Sequence, residues 1–408
     1  MTHIEQMIQD MCPNGVEFKT LGEVATLSRG KVYSKEYLRD NAGEYPVYSS
    51  QTANNGELGR ISTYDYDGKY LTWTTDGAYA GTVFRREGRF SITNVCGLIS
   101  NVDKALSIDF LYYWLNKVAK GYVYQGMGNP KLMSNVMETI EIPLPPIEIQ
   151  KKIVECLDKF SALAAELQAE LQLRRKQYEY YRTQLLTPHS DCNSADKTDD
   201  CNWDSKPLKD LIVSLKTGLN PRTNFKLNTP ESNIPYITGK DIYDNVINVT
   251  SATDMIDEKA RDLINKRACL EGNILLFAST GTGTVGRMAY VPEYNNDWAM
   301  SETLYAIKTK DVLLPRFLMH CLYSPVCRSQ FENKISRGSV PHLKVVDLLN
   351  VNIPLPPIEE QKRLTELLDK FDKLTTSLEE GIPAEQIRQQ KRYEYYRDLL
   401  LTFDRKAV

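Results

Sequence analysis

The chain of 408 residues lacks an excess of positive charge: 50 lysines and arginines stand against 53 aspartates and glutamates, a net −3. That is the reverse of the usual nucleic-acid-binding balance. Its eight cysteines contain no C-x-x-C pair, and the four histidines (His3, His189, His320, His342) are scattered, so the thiols read as reduced and neither a zinc site nor a disulfide framework is expected. Long hydrophobic runs are missing too: none approaches the roughly 18 residues that cross a bilayer. The opening MTHIEQMIQDMCPNG has acidic residues where a secretory signal has an apolar core. The expectation is a soluble, cytoplasmic protein with no membrane partner. No Asn-Pro-Pro-Tyr or Asp-Pro-Pro-Tyr tetrapeptide occurs, which leaves out the methyltransferase signature. Gly281-Thr282-Gly283-Thr284-Val285-Gly286 matches G-x-G-x-x-G, but strand-like residues and Pro292 follow it where a dinucleotide site needs a helix. It is expected to be a tight glycine turn.

What is present is a duplication. IPLPPIE occurs at 142–148 and 353–359, LDKF at 157–160 and 368–371, and YEYYR at 178–182 and 393–397. The first two pairs are 211 residues apart and the third 215, so the copies differ by four residues between LDKF and YEYYR. A repeat of that length is a globular domain plus a segment, much longer than a solenoid unit. Within the first segment Ile153, Leu157, Phe160, Ala164, Leu167, Leu171, Arg174, Tyr178, Tyr181 and Leu185 alternate by four and three, a heptad seam on a helix that Pro145-Pro146 opens and Thr187-Pro188 closes. From Glu148 to Leu186 such a helix is about 58 Å long. The second copy continues the seam through Leu364, Leu368, Phe371 and Leu378, then Tyr393 and Tyr396, with a break or kink expected at Pro383. Tyr180 and Tyr395 fall off the seam and are candidates for partner contact.

Between these segments, β-like runs (70–73, 274–277) alternate with Gly and Asn turns, and helical stretches are expected near 109–119 and 315–323. Residues 188–204, with five acidic residues and one basic, read as an exposed linker. The resulting division is a globular domain over 1–142, a helix over 143–187, the acidic linker 188–204, a second globular domain over 205–353 and a second helix over 354–402.

Two variable domains, each followed by a PLPPIE-x-Q helix ending in YEYYR, resemble over essentially the whole chain the specificity subunit of type I restriction-modification systems. The resemblance implies a mixed α/β (α+β) fold: two target-recognition domains separated by two long antiparallel coiled-coil helices, related by pseudo-two-fold symmetry. It implies a non-catalytic subunit that reads a bipartite, asymmetric site on double-stranded DNA. Its implied partners are two modification (methyltransferase) and two restriction (translocase and nuclease) subunits; S-adenosylmethionine, ATP and Mg belong to those partners and no cofactor to this chain. The tandem Ala165-Glu166-Leu167-Gln168 and Ala169-Glu170-Leu171-Gln172 resembles the family's spacer repeats. The alternative is a coiled-coil scaffold without sequence-specific reading. Basic and polar residues in glycine-rich loops are the DNA-binding candidates: Arg29, Lys31, Tyr33, Lys35, Thr75, Asp76, Gly77, Tyr79, Arg85, Arg86, Arg89 and Lys131 in the first domain. In the second they are Lys216, Asn220, Arg222, Lys240, Thr280, Thr282, Arg287, Arg337, His342 and Lys344.

Overall fold

The computed structural model describes residues 3–126, 128–187, 203–268, 270–336, 338–377 and 380–406. The chain divides into two compact units, Met1–Glu166 with Arg388–Val408, and Leu167–Ile387. Each globular domain therefore takes with it part of the central helix and part of the C-terminal helical segment. Of the linker, only Trp203 and Asp204 are among the described residues; His189, Cys192 and Cys201 of the linker lie outside them, as does Cys269. Cys12, Cys96, Cys156, Cys321 and Cys327 are free thiols.

In the first unit the strands are β1 (Phe18–Thr20), β2 (Thr26–Arg29), β3 (Ala42–Tyr48), β4 (Glu57–Ile61), β5 (Tyr66–Thr74), β6 (Val83–Ile92), β7 (Cys96–Ser100) and β8 (Glu141–Pro143). Six of them form a sheet in the order β2-β7-β5-β6-β3-β4, antiparallel except for the β3–β6 contact. Leu71, Trp73, Val83 and Ile99 pack with Phe110, Leu111 and Leu115 of the helix Ile108–Val118. A second apolar cluster gathers Phe90, Ile92 and Leu98 against Tyr48, Tyr66 and Tyr70. Each such buried side chain contributes about 1.5–3 kcal/mol.

The second unit repeats this frame. Ile212–Thr217, Leu304–Thr309, Ile274–Ala278 and Met288–Val291 form a four-stranded antiparallel sheet in that order, matching β2-β7-β5-β6. Ile234–Ile237 runs parallel to Ala299–Met300 as β3 runs parallel to the end of β6. What differs is the addition: β4 in one unit, the strand Asp254–Ile256 and the helix Glu258–Ala268 in the other. The expected strands at 70–73 and 274–277 and the helices near 109–119 and 315–323 are all present.

Both globular domains are closed by pairing their first strand with their last. Lys19 faces Ile142 across β1 and β8, and Lys206 faces Ile353 across Ser205–Pro207 and Asn352–Pro354. IPLPPIE thus supplies a closing strand, and its double proline then leads into a helix.

The central helix runs Ile147–Leu186, and the second copy is split into Ile358–Thr376 and Gly381–Leu400. The break precedes the position expected. Pro383 lies in the first turn of the second piece, where no intrahelical partner awaits its missing N–H; Gly381 takes the turn with φ +80°. The seam needs a second correction. Ile153 and Leu157 are buried in the first domain's own core with Leu400 and Leu401, and Leu364 and Leu368 in the second domain's core with Phe317 and Leu318. Helix-to-helix contact is carried by aromatic rings. In the first unit Phe160 stacks on Tyr396 with centroids 5.4 Å apart and meets Tyr393 edge-on. In the second, Phe371 stacks on Tyr178 at 5.9 Å and lies 5.8 Å from Tyr181. There Gln168 bonds Gln386 while Arg175 bonds the Thr375 carbonyl, so the helices run antiparallel. Leu171 is buried and Leu167 half-buried, both inside the unbroken helix that holds the tandem tetrapeptide; Leu378 lies outside the described residues.

Residues beyond 402, which the expected division leaves out, are built into the first unit. Val16 donates to the Asp404 carbonyl (2.8 Å) and accepts from the Lys406 amide (3.0 Å), Arg405 pairs with Glu141, and Phe403 packs against Phe110 and Trp114.

Candidate nucleic-acid interface

Two duplicated polar clamps fix each globular domain to its helix. The glutamine that follows PLPPIE by one residue, Gln150 or Gln361, is fully buried in both copies. Gln150 donates through Nε2 to the carbonyls of Ala105 and Pro145 (both 2.8 Å), and its Oε1 accepts from the Ser107 amide (2.7 Å). Gln361 donates to Val312 and Pro356 and accepts from Leu314, all at 2.9 Å. The second clamp is the aspartate of LDKF. Asp158 accepts from Tyr113 (2.6 Å) and Arg85 (2.8 Å), and Asp369 accepts from His320 and Arg316 (both 2.7 Å). Burial pushes the Asp369 carboxyl up, but the hydrogen bonds and charge of His320 and Arg316 outweigh it and hold the group below its ordinary value. Burial holds His320 the other way, below the usual histidine value. The repeats carried these residues in plain view; their role was missed because sequence alone gives an amide or a carboxylate no partner.

Tertiary partners alter the reading of three arginines, the first through a clamp. Arg85 is bridged to Asp158 and Asp109 and lies over the Tyr112 ring at 4.3 Å, so it anchors the helix instead of facing solvent. Arg86 is only 3% exposed; it bonds Thr72, covers the Tyr48 ring at 3.6 Å, and burial lowers its pKa. Arg89 remains exposed and is occupied by Asp67 at 3.0 Å, at the far end of the β5–β6 pairing from Thr74. Lys35 is exposed in the helix Lys35–Asp40. Lys31 and Tyr33 both bind Asp65, at 2.5 and 2.6 Å, and their hydrogen bonds keep that carboxyl below its ordinary value against the effect of burial.

The remaining first-domain candidates converge on the loop between β5 and β6. Arg29 donates to the Thr75 hydroxyl (2.8 Å), which itself donates to the Val95 carbonyl (2.7 Å). The Gly77 amide donates to the Pro130 carbonyl (3.0 Å), Leu132 donates back to Thr75 (3.0 Å), and Asp76 and Lys131 stand opposite each other in an antiparallel bridge. Gly77 has φ +98°, which a side chain would strain. Tyr79 is exposed at the loop tip.

The same frame recurs in the second domain. Ser279 donates to the Thr303 carbonyl (2.9 Å), the Gly281 amide to Pro341 (3.0 Å), and Leu343 back to Ser279 (2.8 Å). Thr280 and His342 occupy the bridge, with Oγ1 and Nδ1 at 2.7 Å. The G-x-G-x-x-G run is therefore the turn of an antiparallel hairpin, its Gly286 amide bonded to the Ala278 carbonyl (2.8 Å). Thr282 and Lys344 are exposed beside the bridge, and Arg287, at the hairpin base, donates to the Ile242 carbonyl (3.2 Å). Others lie apart: Asn220 is bonded to Glu302, Lys240 to Asp254, Arg222 is exposed, and Lys216 lines a cleft with Glu271 and Lys308. Arg337 lies outside the described residues. Tyr180 and Tyr395 are 61% and 64% exposed, each edge-on to the seam tyrosine that follows it.

One backbone scaffold used twice, with different exposed side chains in the same loop frame, defines a duplicated recognition protein. Residues 13–173 and 201–386 match the type I restriction modification DNA specificity domain, and the chain belongs to that family. Its place there is that of the DNA-specificity component, without catalysis of its own and not merely a scaffold. It is 29% identical over 380 residues to a putative type I specificity subunit of Mycoplasma pneumoniae, covering 93% of this chain and 95% of the relative. It is 32% identical over 313 residues to the specificity subunit of the type I restriction enzyme EcoR124I/EcoR124II of Escherichia coli, covering 74% and 72%. The fold is shared with the crystal structure of a type I restriction-modification S subunit from M. genitalium (TM-score 0.54, 15% identity, 95% of both chains). A chain from a structure of type I complex assembly and conformational transition matches similarly (TM-score 0.56, 16% identity, 95% and 98%). No helix among the described residues is long and apolar enough to cross a membrane.

Proposed function

We propose that each globular domain reads one half of a bipartite DNA target, and that the halves differ in sequence. The observation that carries this reading is the duplicated loop frame. The scaffold residues match between copies (Thr75 and Ser279, Gly77 and Gly281, Pro130 and Pro341, Leu132 and Leu343), while the residues they present do not (Asp76 and Thr280, Lys131 and His342). Equal frames with unequal side chains suit an asymmetric target better than a palindrome.

The helices and the exposed Tyr180 and Tyr395 are assigned to two modification and two restriction subunits, which bring S-adenosylmethionine, ATP and Mg; the assembly acts in the cytoplasm. Near-neutral charge implies that the partners supply much of the phosphate contact. The test is sequencing of methylated adenines in DNA modified by the assembled complex. A split motif with unlike halves is expected; a palindromic or unsplit motif contradicts the reading.

A further inference from the structure

We propose that the two residues facing each other across the loop bridge are the specificity-determining pair of each domain, and that the first pair, Asp76 and Lys131, reads a C·G base pair. The inference rests on the DNA-reading role proposed above and narrows it to named side chains and a base-pair class.

The two copies in one chain act as a controlled comparison. Five hydrogen bonds recur at equivalent backbone positions: residue 75 or 279 to the carbonyl of 95 or 303, 77 or 281 to 130 or 341, 132 or 343 back to 75 or 279, 81 or 286 to 74 or 278, and 124 or 336 to 131 or 342. Five of the frame positions keep their chemistry, as Thr75 and Ser279, Gly77 and Gly281, Gly81 and Gly286, Pro130 and Pro341, and Leu132 and Leu343, while positions 74 or 278, 95 or 303 and 124 or 336 vary. The bridge positions keep their geometry and change their chemistry completely, from a carboxylate and an ammonium to a hydroxyl and an imidazole. A framework role explains the kept group; among the positions that vary, the two bridge positions are the ones that stand opposed to each other in both copies.

Directly opposed residues of an antiparallel bridge project from the same face with Cβ atoms about 5 Å apart, so one edge of a base pair is within reach of both. Lys131 is exposed, and no ion pair joins it to Asp76 among the described residues. Asp76 is half-buried, with one carboxylate oxygen shut off from solvent, so it is the other oxygen that would accept from a base edge. In the major groove the donor offered by cytosine is its N4 amino group, and the acceptors offered by guanine are O6 and N7, so a carboxylate beside an ammonium is complementary to C·G. Thr280 and His342 are already joined to each other by their hydrogen bond, so the second pair presents a different, self-satisfied edge.

The experiment compares the methylated motif written by the assembled complex carrying the wild-type chain, Asp76→Asn or Lys131→Met. The wild type is expected to show a split motif whose first half contains a C·G pair. Asp76→Asn should relax that position toward adenine, which an amide recognises, with discrimination falling about ten- to a hundred-fold. Lys131→Met, at an exposed site that tolerates exchange, should relax the same position, and the second half and the gap should stay unchanged. A wild type without a split motif overturns the functional reading and this inference with it. A split motif left unaltered by both variants, altered at different positions by each, or lost altogether in both although the complexes assemble, overturns the inference alone.

Discussion

Replacing Gln150 by leucine removes the first clamp at nearly constant volume. The amide satisfies three backbone groups inside the protein, the Ser107 N–H and the Ala105 and Pro145 carbonyls. Leucine fills the space but offers no donor or acceptor, and stranding a buried donor together with two acceptors costs about 3–5 kcal/mol in total. In a unit of roughly 200 residues, 1 kcal/mol moves the midpoint by about 2–4 °C, so the first unit should melt about 6–20 °C lower. Gln150→Glu should be no milder, because a carboxylate then faces two carbonyl oxygens. Calorimetry reads the midpoint, and hydrogen exchange localises the effect to the Ser107 amide. Gln361→Leu should do the same in the second unit, deprotecting the Leu314 amide. A loss below about 1 kcal/mol, or unchanged protection of those amides, would refute the clamp argument.

His320 is buried beside Asp369 and Arg316, with Arg182 and Asp372 also acting on it, and its folded pKa lies below the ordinary 6.5. The unfolded chain therefore gains a proton there as pH falls through 6.5 while the folded one does not, so this stability is present above 6.5 and lost below it. Asp369, itself depressed, adds a loss only below its ordinary 3.8. His320→Gln should flatten the second unit's melting profile between pH 6.5 and about 5, and an unchanged slope contradicts the assignment. Gly30 and Gly218 lie where an added Cβ would overlap the carbonyl oxygens of Ile92 and Met300, so alanine at either should cost about 1–3 kcal/mol, read by denaturant titration; a neutral substitution would count against the duplicated close approach. Phe403→Ala should destabilise the first unit by about 2 kcal/mol in the same assay and leave the second unit's transition in place.

The organisation of the chain was legible because duplication is a long-range signal that needs no structural context. IPLPPIE, LDKF and YEYYR mark a closing strand, a clamp and an aromatic contact, and the four residues by which the copies differ fall in the interval in which one helix ends at Thr376 and the next begins at Gly381. The heptad pattern showed which helix face is apolar but not what covers it: Ile153 and Leu364 turn to the globular domains, whereas Phe160 and Phe371 meet a helix. Glycine-rich turns pointed to the loop frame because glycine and proline fix backbone geometry locally. Arg85 and Arg86 were misjudged since their partners, Asp158, Tyr113 and Tyr48, come from elements distant in sequence, and only the tertiary pairing buries them.

The central claim is that two separable readers share one scaffold. Its most direct measurement is the methylated-adenine motif of a complex in which residues 1–142 are exchanged for the equivalent domain of a family member with a different target. One half of the motif should change while the other half stays as in the wild type. Simultaneous change of both halves, or a motif indifferent to the exchange in a complex that still methylates, would contradict the account.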